Sequence, residues 1–249
     1  MNYAKRFAYV LDTGDASPLL TLSQRNKQHA MSALANLAKF QGCYDKFLQI
    51  RQRYALKWSK GDSIQYFERF FNEELTLDTM LQAIRKMIDK TPTWTGQILR
   101  FAVLVGLRPS EVIESVRLIN SGVYTHRYYN PERQALEHFR FPEIFIKTTK
   151  KAYLSFVTPE ILELAVSIPT AVSYNDVRLA CWYAGIKCDM RYCRKLFASH
   201  LRASGIQPEI IDMLQGRVSQ SILTRHYLVP KPSFKDDVLQ SLEQLQQQL

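Results

Sequence analysis

Cysteine is scarce, and what there is has no metal-binding spacing. Cys43, Cys181, Cys188 and Cys193 form no CxxC pair, which argues against a zinc site. A disulfide framework is not expected in a chain of 249 residues without an export signal. The four thiols are read as reduced, in a cytoplasmic protein. The opening MNYAKRFAYVLDTGDAS lacks the apolar run of a secretory leader. No window approaches the ~18 consecutive apolar residues that cross a bilayer, so no membrane partner is expected. A Walker-type phosphate loop, an obvious carboxylate cluster for a metal and a solenoid-period repeat are all missing. No cofactor is implied.

What the chain has in excess is positive charge. The formal net charge is +10 and the pI near 9.4. Such a balance points to a polyanionic partner, nucleic acid being the commonest. A hydrophobic fraction of 46%, with 12% aromatics, is ample for a buried core.

Residues 1–20 read as irregular, because Gly14, Asp15, Ser17 and Pro18 break any period. Helices are expected from Ser23 to about Gln41 and over Tyr44–Trp58, then a turn at 60–63 and a short aromatic helix at Ile64–Phe71. Arg25, Lys27, Lys39 and Lys46 stand among many cations in this part. They are either solvated helix faces or a grip on DNA backbone. Asn72–Leu75 reads as a joint, dividing the chain into a helical module at 1–72 and a larger domain at 73–249.

Thr76 is the expected cap of an amphipathic helix with Leu77, Met80, Leu81, Ile84, Met87 and Ile88 on one stripe. Trp94–Val105 is apolar nearly all round, hence a central buried helix closed by Gly106. Pro109 suits the first turn of the next helix. The segment GVYTHRYY looks strand-like, and Glu143–Ile146 with Tyr153–Val157 reads as a hairpin tipped by KTTKKA. Helices follow at Thr158–Ala165, Tyr174–Gly185, Met190–Ala203, Pro208–Leu214, Ser219–Tyr227 and near the C-terminus. The fold class is mainly α with a small β-sheet or hairpin (α+β).

Candidate chemistry-bearing residues come in a fixed order. Arg108 lies in GLRPSEV, between a buried helix and the next helix start. Lys147, Lys150 and Lys151 surround the hairpin tip. Arg191 and Arg194 are three apart and share a helix face. Arg217 follows a glycine, and Tyr227 follows later. Each alone has a plainer reading: a tyrosine is usually core or surface, and a lysine-rich tip is usually solvated.

Taken in order, these boxes resemble the tyrosine recombinases, the phage-type integrases. GLRPSEV resembles that family's first arginine box, RKLFASHLRASGI the segment after its second arginine, and LQGRVSQSILTRHY its stretch up to the nucleophilic tyrosine. The resemblance runs from about Leu77 to Tyr227. Two departures stand out: Arg191 occupies the first histidine place, and Arg217 the later histidine or tryptophan place. This cationic version is closest in pattern to integrases of archaeal viruses and plasmids.

The resemblance implies a core-binding module at 1–72, a catalytic domain at 73–249 and cleavage through a 3′-phosphotyrosine. Tyr227 becomes the nucleophile. Arg108 and Arg194 are assigned to the non-bridging phosphate oxygens, because guanidinium binds them in a fork. Lys147, or else Lys150, is the implied general acid. Arg191 and Arg217 are placed in the site, but arginine does not deprotonate near neutral pH, so the histidine's proton role does not carry over. Lys150, Lys151 and the cations Arg25, Lys27, Lys39 and Lys46 are the expected DNA contacts. The implied partners are double-stranded DNA at attachment sites and further copies of the chain, as a tetramer on synapsed DNA in the host cytoplasm or nucleoid. Leu239 and Leu242 of the C-terminal helix are candidates for the contact between subunits, packing within the chain being the alternative. Two other functions fit parts of the pattern: a non-catalytic helix-turn-helix regulator and a strand-relaxing topoisomerase of the same chemistry.

Overall fold

An apolar stripe holds a helix in place only where it meets a partner surface, and the chain supplies two such surfaces. The computed structural model describes residues 3–58, 76–122, 125–148, 151–186, 190–217, 229 and 231–249. Two compact units result, Met1–Glu74 and Leu75–Leu249.

The first unit contains α1 (Tyr3–Phe7), α2 (Tyr9–Thr13), α3 (Ser17–Leu20), α4 (Gln24–Phe40) and α5 (Tyr44–Arg53). The expectation of an irregular start is corrected. Pro18 sits in the first turn of α3, where a missing N–H costs nothing, so the breakers punctuate short helices instead of abolishing them. Phe7, Val10, Leu11 and Leu19 share a core with Met31, Leu34, Phe47 and Ile50, which secures helices too short to stand alone. Ser23 is the N-cap residue of α4, although its side chain makes no capping bond. The α5 helix stops short of the expected Trp58, and Ala55 adopts a positive φ of 48° just after it. The turn at 60–63, the helix at 64–71 and the joint at 72–75 fall outside the described residues.

The second unit runs α6 (Leu77–Lys90), α7 (Thr93–Val105), α8 (Pro109–Asn120), α9 (Thr125–Tyr128), β1 (Tyr129–Asn130), β2 (Ala135–Leu136), a 3-10 turn (His138–Arg140), α10 (Pro142–Phe145), β3 (Ser155–Phe156), α11 (Pro159–Val166), α12 (Tyr174–Tyr183), α13 (Met190–Ala203), α14 (Pro208–Leu214) and α15 (Phe234–Gln247). Thr76 Oγ1 accepts from the Thr79 amide at 3.2 Å, capping α6. The α7 helix is the hub: α6, α8, α11, α13 and α15 all pack against it, which is why Ile98, Leu99 and Phe101 through Val105 are all buried.

The small sheet is antiparallel in the order β1-β2-β3, with Tyr129 opposite Leu136 and Ala135 opposite Phe156. Two expectations change here. Among the described residues of GVYTHRYY strand begins at Tyr129 and continues to Asn130, because Thr125–Tyr128 forms a helical turn that buries Tyr128 against Phe141 and Phe145. Pro142 turns the segment around Glu143 into α10, so the expected hairpin shrinks to a single bridge between Ile146 and Lys151. Ser155 and Phe156 pair with β2 instead.

The C-terminal helix follows the second of its two expected roles, packing within the chain. Val238, Leu239, Leu242 and Leu245 are buried within the chain against α7, α13 and β3. His200 Nε2 donates to the Ser241 carbonyl at 2.9 Å, and Ser241 Oγ donates to Ser204 Oγ at 2.8 Å. The face expected to meet another subunit is thus filled from inside. The helix expected at Ser219–Tyr227 lies outside the described residues. Among the described residues no helix is long and apolar enough to cross a membrane.

Candidate active site

Gly106 ends α7 in the left-handed region, φ 62°. A Cβ there would collide with the Phe197 ring, so glycine is what lets α13 close onto this turn. The turn delivers Arg108 to the start of α8. Glu111, 6% exposed, then holds Arg108 twice. One carboxylate oxygen takes the Arg108 amide at 2.9 Å, the other its guanidinium at 2.7 Å. Arg108 Nη1 also donates to the Lys151 carbonyl at 3.1 Å.

Arg194 comes from α13 and is half-buried. Its Nη1 donates to the Gly106 carbonyl at 2.9 Å, and its Nη2 donates to the Gln215 carbonyl. Gln215 returns the clasp, its side-chain Nε2 donating to the Arg194 carbonyl at 2.9 Å. Burial first, then the nearby positive charges of Arg108 and Arg217, push Arg194 down to about 10, with Glu111 and Asp212 opposing. A guanidinium so destabilised is stabilised by any anion that arrives beside it.

Arg217 is exposed and lies 3.5 Å from the Asp212 carboxylate. The residue before it, Gly216, has φ 67°, and a Cβ there would run into the Lys151 carbonyl. The main chain at Lys151 is therefore the meeting point of the Arg108 guanidinium and the Arg217 turn. Together Arg108, Arg194 and Arg217 form a cationic cradle whose inner donors are tied to backbone carbonyls. Guanidinium has five N–H donors, so two bonds to carbonyls fix Arg194 without exhausting it.

The remaining expected residues sit as follows. Lys147 and Lys151 are exposed on either side of the tip. Arg191 is exposed, one turn before Arg194. Lys150 and Tyr227 are outside the described residues. Arg25, Lys27, Lys39 and Lys46 belong to the first unit. Arg25, Lys39 and Lys46 are exposed and Lys27 is half-buried. Lys46 Nζ donates to the Asp12 carbonyl at 3.0 Å, and Lys39 Nζ lies 5.0 Å from the Tyr44 ring centroid. Among the described residues no group of histidine, cysteine and carboxylate side chains is placed to hold a metal.

Sequence reasoning gave Gln215 no role. The available signal was a polar residue between the apolar end of a helix and a glycine, a position where only a bonded side chain is readily buried; Gln215 is 1% exposed.

The model of the archaeal phage integrase family matches residues 71–232, well over half of the chain. The chain belongs to that family, which makes it an integrase in general role. No curated protein sequence matches it significantly.

Proposed function

We propose that this integrase cleaves and rejoins DNA strands through a 3′-phosphotyrosine, and so integrates or excises a mobile element. Arg108 and Arg194 take the non-bridging oxygens of the scissile phosphate. Tyr227 Oη attacks phosphorus, and the 5′-oxygen leaves with a proton from Lys147 or Lys150. The phosphotyrosine bond conserves the energy of the broken phosphodiester. A 5′-hydroxyl from another strand then attacks it, releasing Tyr227. Arg191 and Arg217 add positive charge that lowers the phenol's pKa and offsets charge developing on the phosphoryl group. They take no proton, which leaves deprotonation of Tyr227 to water or phosphate.

In the same reading residues 1–72 grip the backbone of double-stranded DNA through Arg25, Lys27, Lys39 and Lys46. The catalytic domain, 73–249, adds Lys150 and Lys151. Synapsis of two duplexes assembles four copies. The observation that carries the proposal is Arg194, half-buried, within the field of two other guanidinium groups and tied to the Gly106 and Gln215 carbonyls. Burial and two neighbouring cations disfavour the Arg194 charge, and Glu111 and Asp212 offset this only in part, so a further anion beside it is stabilising.

The test is a nicked suicide duplex bearing the attachment site. Wild type is expected to form a covalent adduct, and Tyr227→Phe to lower its rate by a factor of ~10⁴ or more, since the nucleophile itself is gone. Adduct formation by the Phe variant would sink the assignment of Tyr227. Tight specific binding without any adduct would favour the regulator.

A further inference from the structure

Behind the cradle, four buried polar side chains stand in single file. Ser115 of α8, Tyr128 of α9 and His138 of the 3-10 turn are each 0% exposed, and Ser155 of β3 is 3% exposed. Ser115 Oγ lies 2.7 Å from Tyr128 Oη, which lies 2.7 Å from His138 Nδ1. His138 Nε2 lies 2.9 Å from Ser155 Oγ, and Ser155 Oγ donates to the Val105 carbonyl at 3.2 Å.

The last link orients all the others. A hydroxyl has one proton, and Ser155 gives it to a carbonyl that can only accept. Ser155 must therefore accept from His138 Nε2–H. A neutral imidazole has one N–H, so Nδ1 accepts from the Tyr128 hydroxyl, and Tyr128 accepts from Ser115. Ser155 requires a proton on Nε2, and a neutral ring then leaves Nδ1 as the acceptor. Burial agrees, pushing His138 down to about 3 and Tyr128 well above its ordinary value.

The file ends where the cradle begins. Val105 precedes Gly106, whose carbonyl holds Arg194. Ser155 lies four residues beyond Lys151, whose carbonyl holds Arg108. Tyr128 is close enough to Glu111, the partner of Arg108, to feel its charge.

We propose that His138 is a positioning residue for the cradle: by pinning β3 to the last carbonyl of α7 it sets the spacing of Arg108 and Arg194. It touches no DNA and acts through two backbone segments. The proposal rests on the phosphoryl-transfer reading above.

Substitutions along the file test it. His138→Phe keeps a ring against Phe145, now 4.6 Å away between centroids, but loses both hydrogen bonds. Ser155→Ala cuts only the last link. Single-turnover adduct formation, measured on folded protein well below each melting temperature, should fall about 10- to 100-fold in each, as for a cradle displaced by up to ~1 Å. Duplex affinity should stay within about twofold, because other cations hold the backbone. The double variant should lose no more than the worse single one, since both cut the same file. His138→Gln, which retains a donor and an acceptor, should recover part of the rate. Unchanged rates, losses that multiply, or affinity falling in step with rate would each overturn the proposal.

A second readout does not depend on the chemistry. ¹⁵N NMR should find the His138 ring neutral and Nε2-protonated from pH 8 down to 5. Ser155→Ala should shift the guanidinium signals of Arg108 and Arg194. If wild type makes no adduct, the functional reading fails, and these signals still decide the positioning role. An Nδ1–H ring, or arginine signals that stay put, would overturn it.

Discussion

In the first unit the cations stand outside an apolar helical core, whereas in the second Arg108 and Arg194 are drawn in against main-chain carbonyls. Arg25, Lys39 and Lys46 are exposed. Lys46 reaches one carbonyl, and Lys39 leans over a ring. Charges of that kind act as an approximate sum, and each is screened by salt. Arg194 is bonded to carbonyls on two distant segments and feels two other guanidinium groups. Position counts there more than number. On the proposed function, that difference divides residues that would hold DNA from residues that would act on it.

The sharpest break of that contrast is Arg194→Lys. The charge stays, but an ammonium lacks the planar fork that spans the Gly106 and Gln215 carbonyls while facing a phosphate. Adduct formation should fall about 10²- to 10³-fold, as when one donor to a developing oxyanion is removed, with duplex affinity changed less than about threefold. An equal loss in both would make Arg194 another backbone-gripping cation. Next comes the packing that supports the cradle. Leu242→Ala in α15 should lower unfolding free energy by about 2–5 kcal/mol in a denaturant titration. A near-neutral result would mean that this face is not filled from inside the chain.

A smaller effect follows from His138. Its folded pKa lies below the ordinary 6.5, at about 3. In that window the unfolded chain binds the extra proton, so this contribution to stability is complete above pH 6.5 and is lost as pH falls toward 3. Between pH 6.5 and 5 the loss is about 2 kcal/mol. Parallel melts of wild type and His138→Phe should show the pH slope reduced in the variant. The smallest effect belongs to the first unit. Lys39→Ala or Arg25→Ala should weaken duplex binding only a few-fold and reduce the salt slope by about 0.9 for each phosphate left unneutralised. Cleavage of bound DNA should be untouched, and a loss of cleavage at saturating protein would erase the contrast.

Much of the helical frame was legible. The stripe from Met80 to Ile88 and the nearly all-round apolar run to Val105 announce a surface helix and a buried one, because periodicity records which sides meet water. A small sheet was legible, with Tyr129 and Ser155–Phe156 inside expected strand segments, but its bounds and pairing were not. Its strands are two residues long, and such segments carry no period. Ile144 and Phe145 read as strand by their apolar character, but the proline before them and the burial of Phe145 make a helical turn. In the site, the order of the boxes singled out Arg108, Arg194 and Arg217, while the Lys151 and Gln215 carbonyls, which hold Arg108 and Arg194, were invisible. A carbonyl is common to every residue and leaves no mark in a sequence.

The sequence by itself determined where most helices form, the positive balance of the chain and the order of its arginine boxes, because these depend on neighbours within a few turns. Tertiary structure alone decided which arginines become a cradle. The bonds that do so span 88 residues from Arg194 to Gly106, 21 from Arg194 to Gln215 and 43 from Arg108 to Lys151. Burial of Arg194 comes from segments equally far apart in the chain, and desolvation is a property of the assembled interior, where a guanidinium has traded water for carbonyls.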